Sequence, residues 1–183
     1  MRVIICGVPG VGKSTVMNIV AEKSSHPIVN FGTVMFEEAK ERGLATHRDE
    51  MRKLPMDVQR ELQRNAAKKI GEMSSALIDT HLSIKTPYGY FPGLPKHILA
   101  EIRPHLIVVI EAPPEIIADR RGRDEDRIRD ADEIRAIKEQ QEINRYLAAA
   151  ASVITGANII FVENKEGKAE EAANKILKAM GVL

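Results

Sequence analysis

Eight consecutive residues near the N-terminus have the types and spacing of a phosphate-binding loop. The segment from Gly7 to Ser14 matches the pattern G-x-x-x-x-G-K-[ST], and it directly follows the apolar run from Val3 to Cys6. Its glycines let backbone N–H groups surround phosphate oxygens, and the helix predicted to begin near Lys13 adds the positive end of its dipole. We therefore expect a nucleoside triphosphate to bind here. A Gly-rich turn between a strand and a helix is the alternative.

Three side chains at the end of this loop carry polar groups suited to a bound nucleotide. We expect Lys13 to reach the β- and γ-phosphates, the Ser14 hydroxyl to bind Mg²⁺, and the Thr15 hydroxyl to lie near the α-phosphate. The predicted nucleotide-binding residues are Gly7, Val8, Pro9, Gly10, Val11, Gly12, Lys13, Ser14 and Thr15.

A second group of polar residues follows another apolar run. Asp79 ends the run that begins at Ala76, where a phosphate-loop protein usually places a carboxylate near the metal, so we predict catalytic and Mg²⁺-binding roles for it. An aspartate that caps the next turn is the alternative. His81 could hydrogen-bond a substrate phosphate or base, although a structural hydrogen bond explains this residue equally well.

Arginines are concentrated between residues 119 and 131. They stand at positions 120, 121, 123, 127 and 129, interspersed with acidic residues. Guanidinium groups can bind a transferring phosphoryl group bidentately while a closing flap excludes water. The segment thus predicts a short lid in which Arg120, Arg127 and Arg129 are catalytic. A solvated helix laced with ion pairs is the alternative.

Residues 30–54 have features of a second substrate site. The backbone N–H groups of Gly32 and Thr33 are predicted to face the ligand edge of the sheet, where a helix begins. Arg48 and Arg52 supply cations that could bind a substrate phosphate. A simple helix cap and surface ion pairs are the respective alternatives.

A segment rich in proline and glycine, residues 82–96, follows the predicted strand at Asp79. It predicts a stiff loop without a regular ladder, with aromatic rings against which a base could pack. Lys85 could add a phosphate contact. The alternative is a rigid structural loop that covers the edge of the sheet.

Short apolar runs alternate with helical patterns along the chain, which indicates an α/β protein with a P-loop three-layer sandwich. The mostly parallel sheet is predicted to have five strands flanked by helices, because unalternating apolar runs suit strands covered on both faces. Helices are predicted at about residues 14–23, 57–73, 132–151 and 169–180, with Asp57 as an N-cap. The predicted strands cover residues 3–6, 28–30, 76–79, 106–110 and 158–162.

Size and charge narrow the class of protein. The chain has 183 residues, which fits one domain, and 27 basic residues nearly balance 26 acidic ones, so no nucleic-acid partner is expected. The single cysteine, Cys6, excludes an intramolecular disulfide and favours a reducing compartment. The N-terminus shows no signal or spanning segment, so we expect no membrane partner and a cytoplasmic location.

The combination of segments resembles the archaeal type of adenylate kinase over essentially the whole chain. The likeness extends from the phosphate loop through Asn30 to Met35, Arg48 to Leu54, and the arginine-rich lid to Thr155-Gly156-Ala157. Its most specific parts are Asp79 to His81 and Lys85 to Pro95. The resemblance implies a single P-loop kinase domain over residues 1–183, with a substrate-binding insert at about 31–75 and the lid at about 119–131.

The same resemblance implies an activity. It implies Mg²⁺-dependent, reversible in-line conversion of ATP and AMP into two ADP, in the cytoplasm, by a homotrimer. The wider adenylate kinase pattern usually has an arginine after Gly-Asp-Leu-Leu, whereas Phe36 follows Met35 here. The AMP phosphate must therefore find other cations, for which Arg48, Arg52, Lys85 and lid arginines are candidates.

Two other functions remain open from the residues alone. The chain could be a kinase for another nucleoside monophosphate or small molecule, because the residue types do not define a base-specific pocket. It could also be a P-loop ATPase switch or assembly factor that acts through a partner. A panel of acceptors that includes AMP, each offered with ATP, would distinguish an adenylate kinase from the first alternative. ATP hydrolysis without an acceptor, stimulated by a partner, would indicate the second.

Overall fold

The structure, a computed structural model, describes residues 1–122 and 131–183. The strands in these ranges are β1 (Arg2–Cys6), β2 (Ile28–Asn30), β3 (Ala76–Asp79), β4 (Ser83–Thr86), β5 (Gly89–Pro92), β6 (Leu106–Glu111) and β7 (Asn158–Glu163). The helices are α1 (Lys13–Ser24), α2 (Phe31–Glu41), α3 (Met56–Gly71), α4 (Lys96–Ile102), α5 (Pro114–Gly122), α6 (Ala131–Thr155) and α7 (Ala169–Ala179), and a 3-10 helix covers Arg48–Lys53.

The central sheet is parallel and has five strands in the order β2-β3-β1-β6-β7. β1 lies in the middle, where Ile4 pairs with Ile78 on one side and with Ile107 on the other. All five predicted strands are confirmed. The carboxyl ends of β1, β2 and β3 therefore meet at one edge, where ligands bind in sheets of this kind.

Helices cover both faces of the sheet, which confirms the three-layer sandwich. Alternate residues of a strand point to opposite faces, so Val3 and Ile5 join a core with α1, α5 and α7. Ile4 and Cys6 join the other core, with α3, α4 and α6. None of the helices in the described ranges is long and apolar enough to cross a membrane.

A third, smaller cluster holds the segment between β2 and β3 together. Ala39 of α2, Leu62 of α3 and Ala45 are buried in it, and Met51 of the 3-10 helix is one of the partly buried side chains packed against them. This cluster fixes the 3-10 helix against α2 and α3, so its arginines have a defined place relative to the sheet edge.

The prediction of an irregular loop over residues 82–96 is wrong. β4 and β5 form an antiparallel hairpin in which Ile84 pairs with Phe91. The Thr86 hydroxyl closes the turn, since it donates to the Gly89 carbonyl at 2.9 Å and accepts from the Tyr88 amide at 3.2 Å. Pro87 lies in the turn and Pro92 is the last residue of β5, where a missing N–H costs no sheet hydrogen bond.

The structure also differs from the sequence-based prediction at three helices. α3 begins at Met56 with Pro55 as its N-cap residue, so Asp57 lies in the first turn and does not cap the helix. The helix α4 was not predicted, because seven residues are too few for clear periodicity, although Ile98, Leu99 and Ile102 are buried. Residues 119–122, which the sequence analysis assigned to the start of the lid, continue α5.

Candidate active site

The phosphate loop joins β1 to α1 and surrounds a pocket of about 410 Å³. Gly12 precedes the helix with a left-handed φ of 85°. A Cβ atom there would lie 2.4 Å from Asn164 Nδ2, so both the backbone conformation and the space require glycine. The pocket, which we call the donor pocket, is lined by Gly7, Val8, Pro9, Gly10, Val11, Gly12, Lys13, Ser14, Thr15, His81 and Arg120.

Two side chains hold the loop from outside through one backbone carbonyl. Asn164 Nδ2 donates to the Val11 carbonyl at 2.8 Å, and Arg120 Nη1 donates to the same oxygen at 3.0 Å. Arg120 also pairs with Glu166 at 2.9 Å. Because Asn164 directly follows β7, its buried side chain ties the loop to the far strand of the sheet.

The Asn164 side chain has one further property. Among the described residues, its buried Oδ1 has no hydrogen-bond partner, although the residue is only 4% exposed. The side chain thus contacts the loop through Nδ2 alone, which donates to the Val11 carbonyl.

Lys13 and Asp79 form an ion pair between the phosphate loop and the end of β3. Their side chains are 14% and 22% exposed, so the pair is largely screened from bulk water. The second carboxylate oxygen of Asp79 accepts a 2.8 Å hydrogen bond from Asn30 Nδ2, at the end of β2. Adjacent β1, β2 and β3 thus bring three polar side chains to the same edge.

Asn30 continues this network toward α2 and the 3-10 helix. Its Oδ1 caps α2 by accepting from the Thr33 amide at 2.9 Å, and it also accepts from the Thr33 hydroxyl at 3.1 Å. Arg48 Nη2 donates to the same oxygen at 3.0 Å. Gly32 leaves the space for this arginine, because a Cβ atom there would lie 2.4 Å from Arg48 Nη2.

A second, larger cavity of about 830 Å³ adjoins the donor pocket. Pro9 and His81 line both spaces, and Arg52 and Lys85 add cations to the larger one. We call it the acceptor cavity. Arg121 belongs to its wall and donates from Nε to the Pro9 carbonyl at 2.9 Å.

His81 stands where the two spaces meet. Partial withdrawal from water lowers the pKa of its imidazole below the ordinary value of 6.5, and the positive charges of Lys13 and Arg48 lower it further, against the opposing effect of Asp79. The ring is therefore neutral at pH 7 and can both donate and accept a hydrogen bond.

In residues 1–122 and 131–183, no group of three or more His, Cys, Asp or Glu residues could hold a metal ion. The Ser14 hydroxyl in the donor pocket and the Asp79 carboxylate beside Lys13 are oxygen donors of the type that Mg²⁺ prefers, with nucleotide phosphates as further ligands.

The predicted site residues fall into four groups. Lys13, Ser14, His81 and Arg120 line the donor pocket, and Arg52, His81 and Lys85 line the acceptor cavity. Gly32, Thr33 and Arg48 do not line either space and lie beside Asn30 instead. Arg127 and Arg129 lie outside the described residues.

Asn30 and Asn164 were not among the predicted site residues. A signal for Asn30 was present, because an asparagine three residues before Thr33 at a strand-to-helix junction is a typical N-cap. Asn164 follows a predicted strand, but nothing local indicates its contact with a loop more than 150 positions earlier.

Comparison with known proteins agrees with this geometry. Residues 6–138 match the family model described as AAA domain. In solved structures, the fold resembles a shikimate kinase from Acinetobacter baumannii in complex with shikimate, with a TM-score of 0.64 and 17% identity over 98% of this chain and 92% of that one. A shikimate kinase from Aquifex aeolicus has a TM-score of 0.57 and 23% identity, over 99% and 96% of the two chains.

Sequence relatives are much closer. The chain is 51% identical to an adenylate kinase of Thermoplasma acidophilum, over 100% of both chains. It is 48% identical to an adenylate kinase of Pyrococcus furiosus, over 97% of this chain and 94% of the relative. An adenylate kinase of Methanococcus vannielii is 43% identical over 97% of each chain. With a phosphate loop, an adjoining cationic cavity and this similarity along its full length, the chain belongs to the adenylate kinase family.

Proposed function

We propose that this chain is an adenylate kinase that catalyses the Mg²⁺-dependent, reversible reaction ATP + AMP = 2 ADP. The observation that carries the proposal is its 51% identity to a protein named adenylate kinase, over the full length of both chains. The distant shikimate kinases support the fold alone, because their identity to this chain is 17% and 23%.

Two adjoining cavities support transfer between two bound nucleotides. The donor pocket would hold the ATP phosphates on the amides of the loop, and the acceptor cavity would hold AMP. Because Pro9 and His81 line both, the two phosphate chains would meet there end to end. An AMP oxygen would attack the γ-phosphorus in line, without a covalent enzyme intermediate, so catalysis consists of placement and charge stabilisation.

Lys13 would exchange partners when ATP binds. Lys13 lines the donor pocket and its ammonium group pairs with Asp79, and the β- and γ-phosphates would offer it a stronger negative charge. Asp79 would then be free to help Ser14 hold Mg²⁺. When bound, Mg²⁺ neutralises negative charge on the phosphate oxygens.

Cations around the cavities would hold the remaining phosphate charge. Arg120 lines the donor pocket, and Arg52 and Lys85 line the acceptor cavity, where they are candidates for the AMP phosphate. We propose that Arg127 and Arg129 of the lid add to this charge. Closure of the lid would keep water from acting as the acceptor.

A coupled assay that offers ATP with AMP, CMP, UMP, GMP or shikimate in turn tests the activity. We expect ADP formation with AMP far above all other acceptors. The variant Lys13→Met should lower the rate by about 10³-fold or more while the chain still folds, since a charge on the transferring group loses its partner. Turnover near the wild-type rate in this variant would refute the assigned site.

Binding stoichiometry provides an independent check. A bisubstrate mimic that joins two adenosines through a phosphate chain should bind one per chain and exclude both ATP and AMP. A chain that binds one nucleotide at a time and never the mimic would exclude two-substrate transfer.

Location and assembly form a separate part of the proposal. A cytoplasmic location is supported by the single buried cysteine, Cys6, which makes no demand for an oxidising compartment. We propose a homotrimer from the family resemblance, and light scattering on the purified chain should give three times the 20.3 kDa chain mass.

A further inference from the structure

Asn30 uses both ends of its side-chain amide to join groups from three different elements. Its Nδ2 donates to Asp79 Oδ2 at 2.8 Å, at the end of β3. Its Oδ1 accepts from the Thr33 amide at 2.9 Å and from Arg48 Nη2 at 3.0 Å. Since Asp79 is paired with Lys13, one side chain links the phosphate loop to the 3-10 helix.

Helix capping explains part of this arrangement and not the rest. Aspartate, serine and threonine accept a hydrogen bond from the third residue as asparagine does, so the Thr33 contact alone would allow any of them. The contact with Asp79 requires a hydrogen-bond donor, which excludes a carboxylate at position 30. The contact with Arg48 requires that the oxygen that caps the helix also accept a hydrogen bond from the guanidinium group. The asparagine amide, with its donor and acceptor on one side chain of this length, can make the contacts with Thr33, Asp79 and Arg48 together.

The two groups that Asn30 holds lie on elements that belong to different substrate sites. Asp79 lies beside Lys13, which lines the donor pocket. Arg48 belongs to the 3-10 helix, whose Arg52 lines the acceptor cavity. The separation between Asp79 and Arg48 is therefore set in part by two hydrogen bonds, of 2.8 Å and 3.0 Å, to the two ends of the Asn30 amide.

We propose that Asn30 is a positioning residue that sets the Asp79 carboxylate and the Arg48 guanidinium relative to each other, and so aligns the donor and acceptor sites. This role rests on the proposed kinase function. Asn30 acts through Asp79 and Arg48 and takes no part in the transfer itself.

Three substitutions separate positioning from capping. Asn30→Asp keeps the helix cap and the acceptor for Arg48, but it replaces the donor to Asp79 with a like charge. Asn30→Ser keeps the cap acceptor and is too short to hold either Asp79 or Arg48. Asn30→Ala removes every contact. The matched control is Ile176→Val, a fully buried residue of α7 outside the site, which lowers stability without touching the network.

The expected pattern differs between the variants. Asn30→Asp and Asn30→Ser should unfold within a few degrees of the wild type, yet their kcat should fall about 10- to 100-fold, as expected for loss of a hydrogen bond to a charged group. Asn30→Ser should also raise the KM and the calorimetric Kd for AMP, because the 3-10 helix that carries Arg52 loses the contact that Arg48 makes with Asn30. Asn30→Asp should leave the affinity for AMP close to that of the wild type.

Two results would overturn the positioning role. Wild-type kcat and KM in Asn30→Asp and Asn30→Ser would show that Asn30 only caps α2. Losses that follow the melting temperature alone, on the same line as Ile176→Val, would show a purely structural role.

Phosphoryl transfer by the wild type itself shows whether the kinase proposal fails. If the wild type transfers phosphate to another acceptor, the same variants are compared with that acceptor. If it transfers to none, calorimetric binding of ATP and of AMP to the variants decides the role: unchanged affinities in Asn30→Ser would reject it, and weakened affinities at unchanged melting temperature would support it.

Discussion

Replacement of Gly12 by alanine should destabilise the chain for two separable reasons. The first is backbone strain: a residue with a Cβ atom at φ 85° costs about 1–2 kcal/mol relative to glycine. The second is a collision, because the new Cβ atom would lie 2.4 Å from Asn164 Nδ2. If the Asn164 amide rotates away, its hydrogen bond to the Val11 carbonyl is lost, at a further cost of about 1 kcal/mol.

The chain offers a control that contains only the first of these costs. Gly156 has a left-handed φ of 73°, and a Cβ atom there would have no neighbour within 4 Å. Gly156→Ala should therefore lower the free energy of unfolding by about 1–2 kcal/mol and Gly12→Ala by about 2–3 kcal/mol. The entropy that alanine removes from the unfolded chain is the same in both variants and cancels in the comparison.

Thermal and urea unfolding, followed by circular dichroism, measure the difference. For a chain of 183 residues, about 1 kcal/mol corresponds to about 2–4 °C in the melting temperature, so Gly12→Ala should melt about 5–10 °C below the wild type. In a double-mutant cycle, Asn164→Ala should recover about 1 kcal/mol of the Gly12→Ala loss. Equal losses in the two glycine variants, with no recovery, would refute the collision.

Three further predictions concern reactivity, acid stability and the acceptor cavity. Burial raises the pKa of the Cys6 thiol to about 12, so a disulfide reagent at pH 8 should modify it only after unfolding; rapid labelling of the native chain would contradict this. The hydrogen bond from Lys69 holds the pKa of Glu38 below its ordinary 4.5, so its stabilisation is present above pH 4.5 and is lost as the pH falls further. The gap in melting temperature between the wild type and Glu38→Gln should therefore narrow between pH 6 and pH 3, and a constant gap would exclude this contribution. Arg52→Ala should raise the KM for AMP about tenfold and leave the KM for ATP unchanged. The control Arg60→Ala replaces an exposed arginine of α3 that does not line the cavity, and it should change neither KM. Equal effects of Arg52→Ala on both substrates would argue against Arg52 as an acceptor-side cation.

Local sequence patterns were sufficient to predict the central sheet of this protein. Unalternating apolar runs predicted all five strands of the parallel sheet, because a strand covered on both faces must be apolar along its whole length. The hairpin at Ser83–Pro92 was missed, because its prolines and glycines are typical of loops, and its ladder depends on pairing between Ile84 and Phe91 that composition does not reveal.

The sequence by itself determined the phosphate loop, since the requirement for glycines and for Lys13 is met within eight adjacent residues. Tertiary structure alone decided which distant groups hold that loop and align the site. Asn164 reaches the Val11 carbonyl and Asn30 reaches Asp79 only because parallel strands bring their carboxyl ends to one edge. Hydrogen bonds act over about 3 Å, and which residues approach that closely depends on the packing of the whole sheet rather than on their separation along the chain.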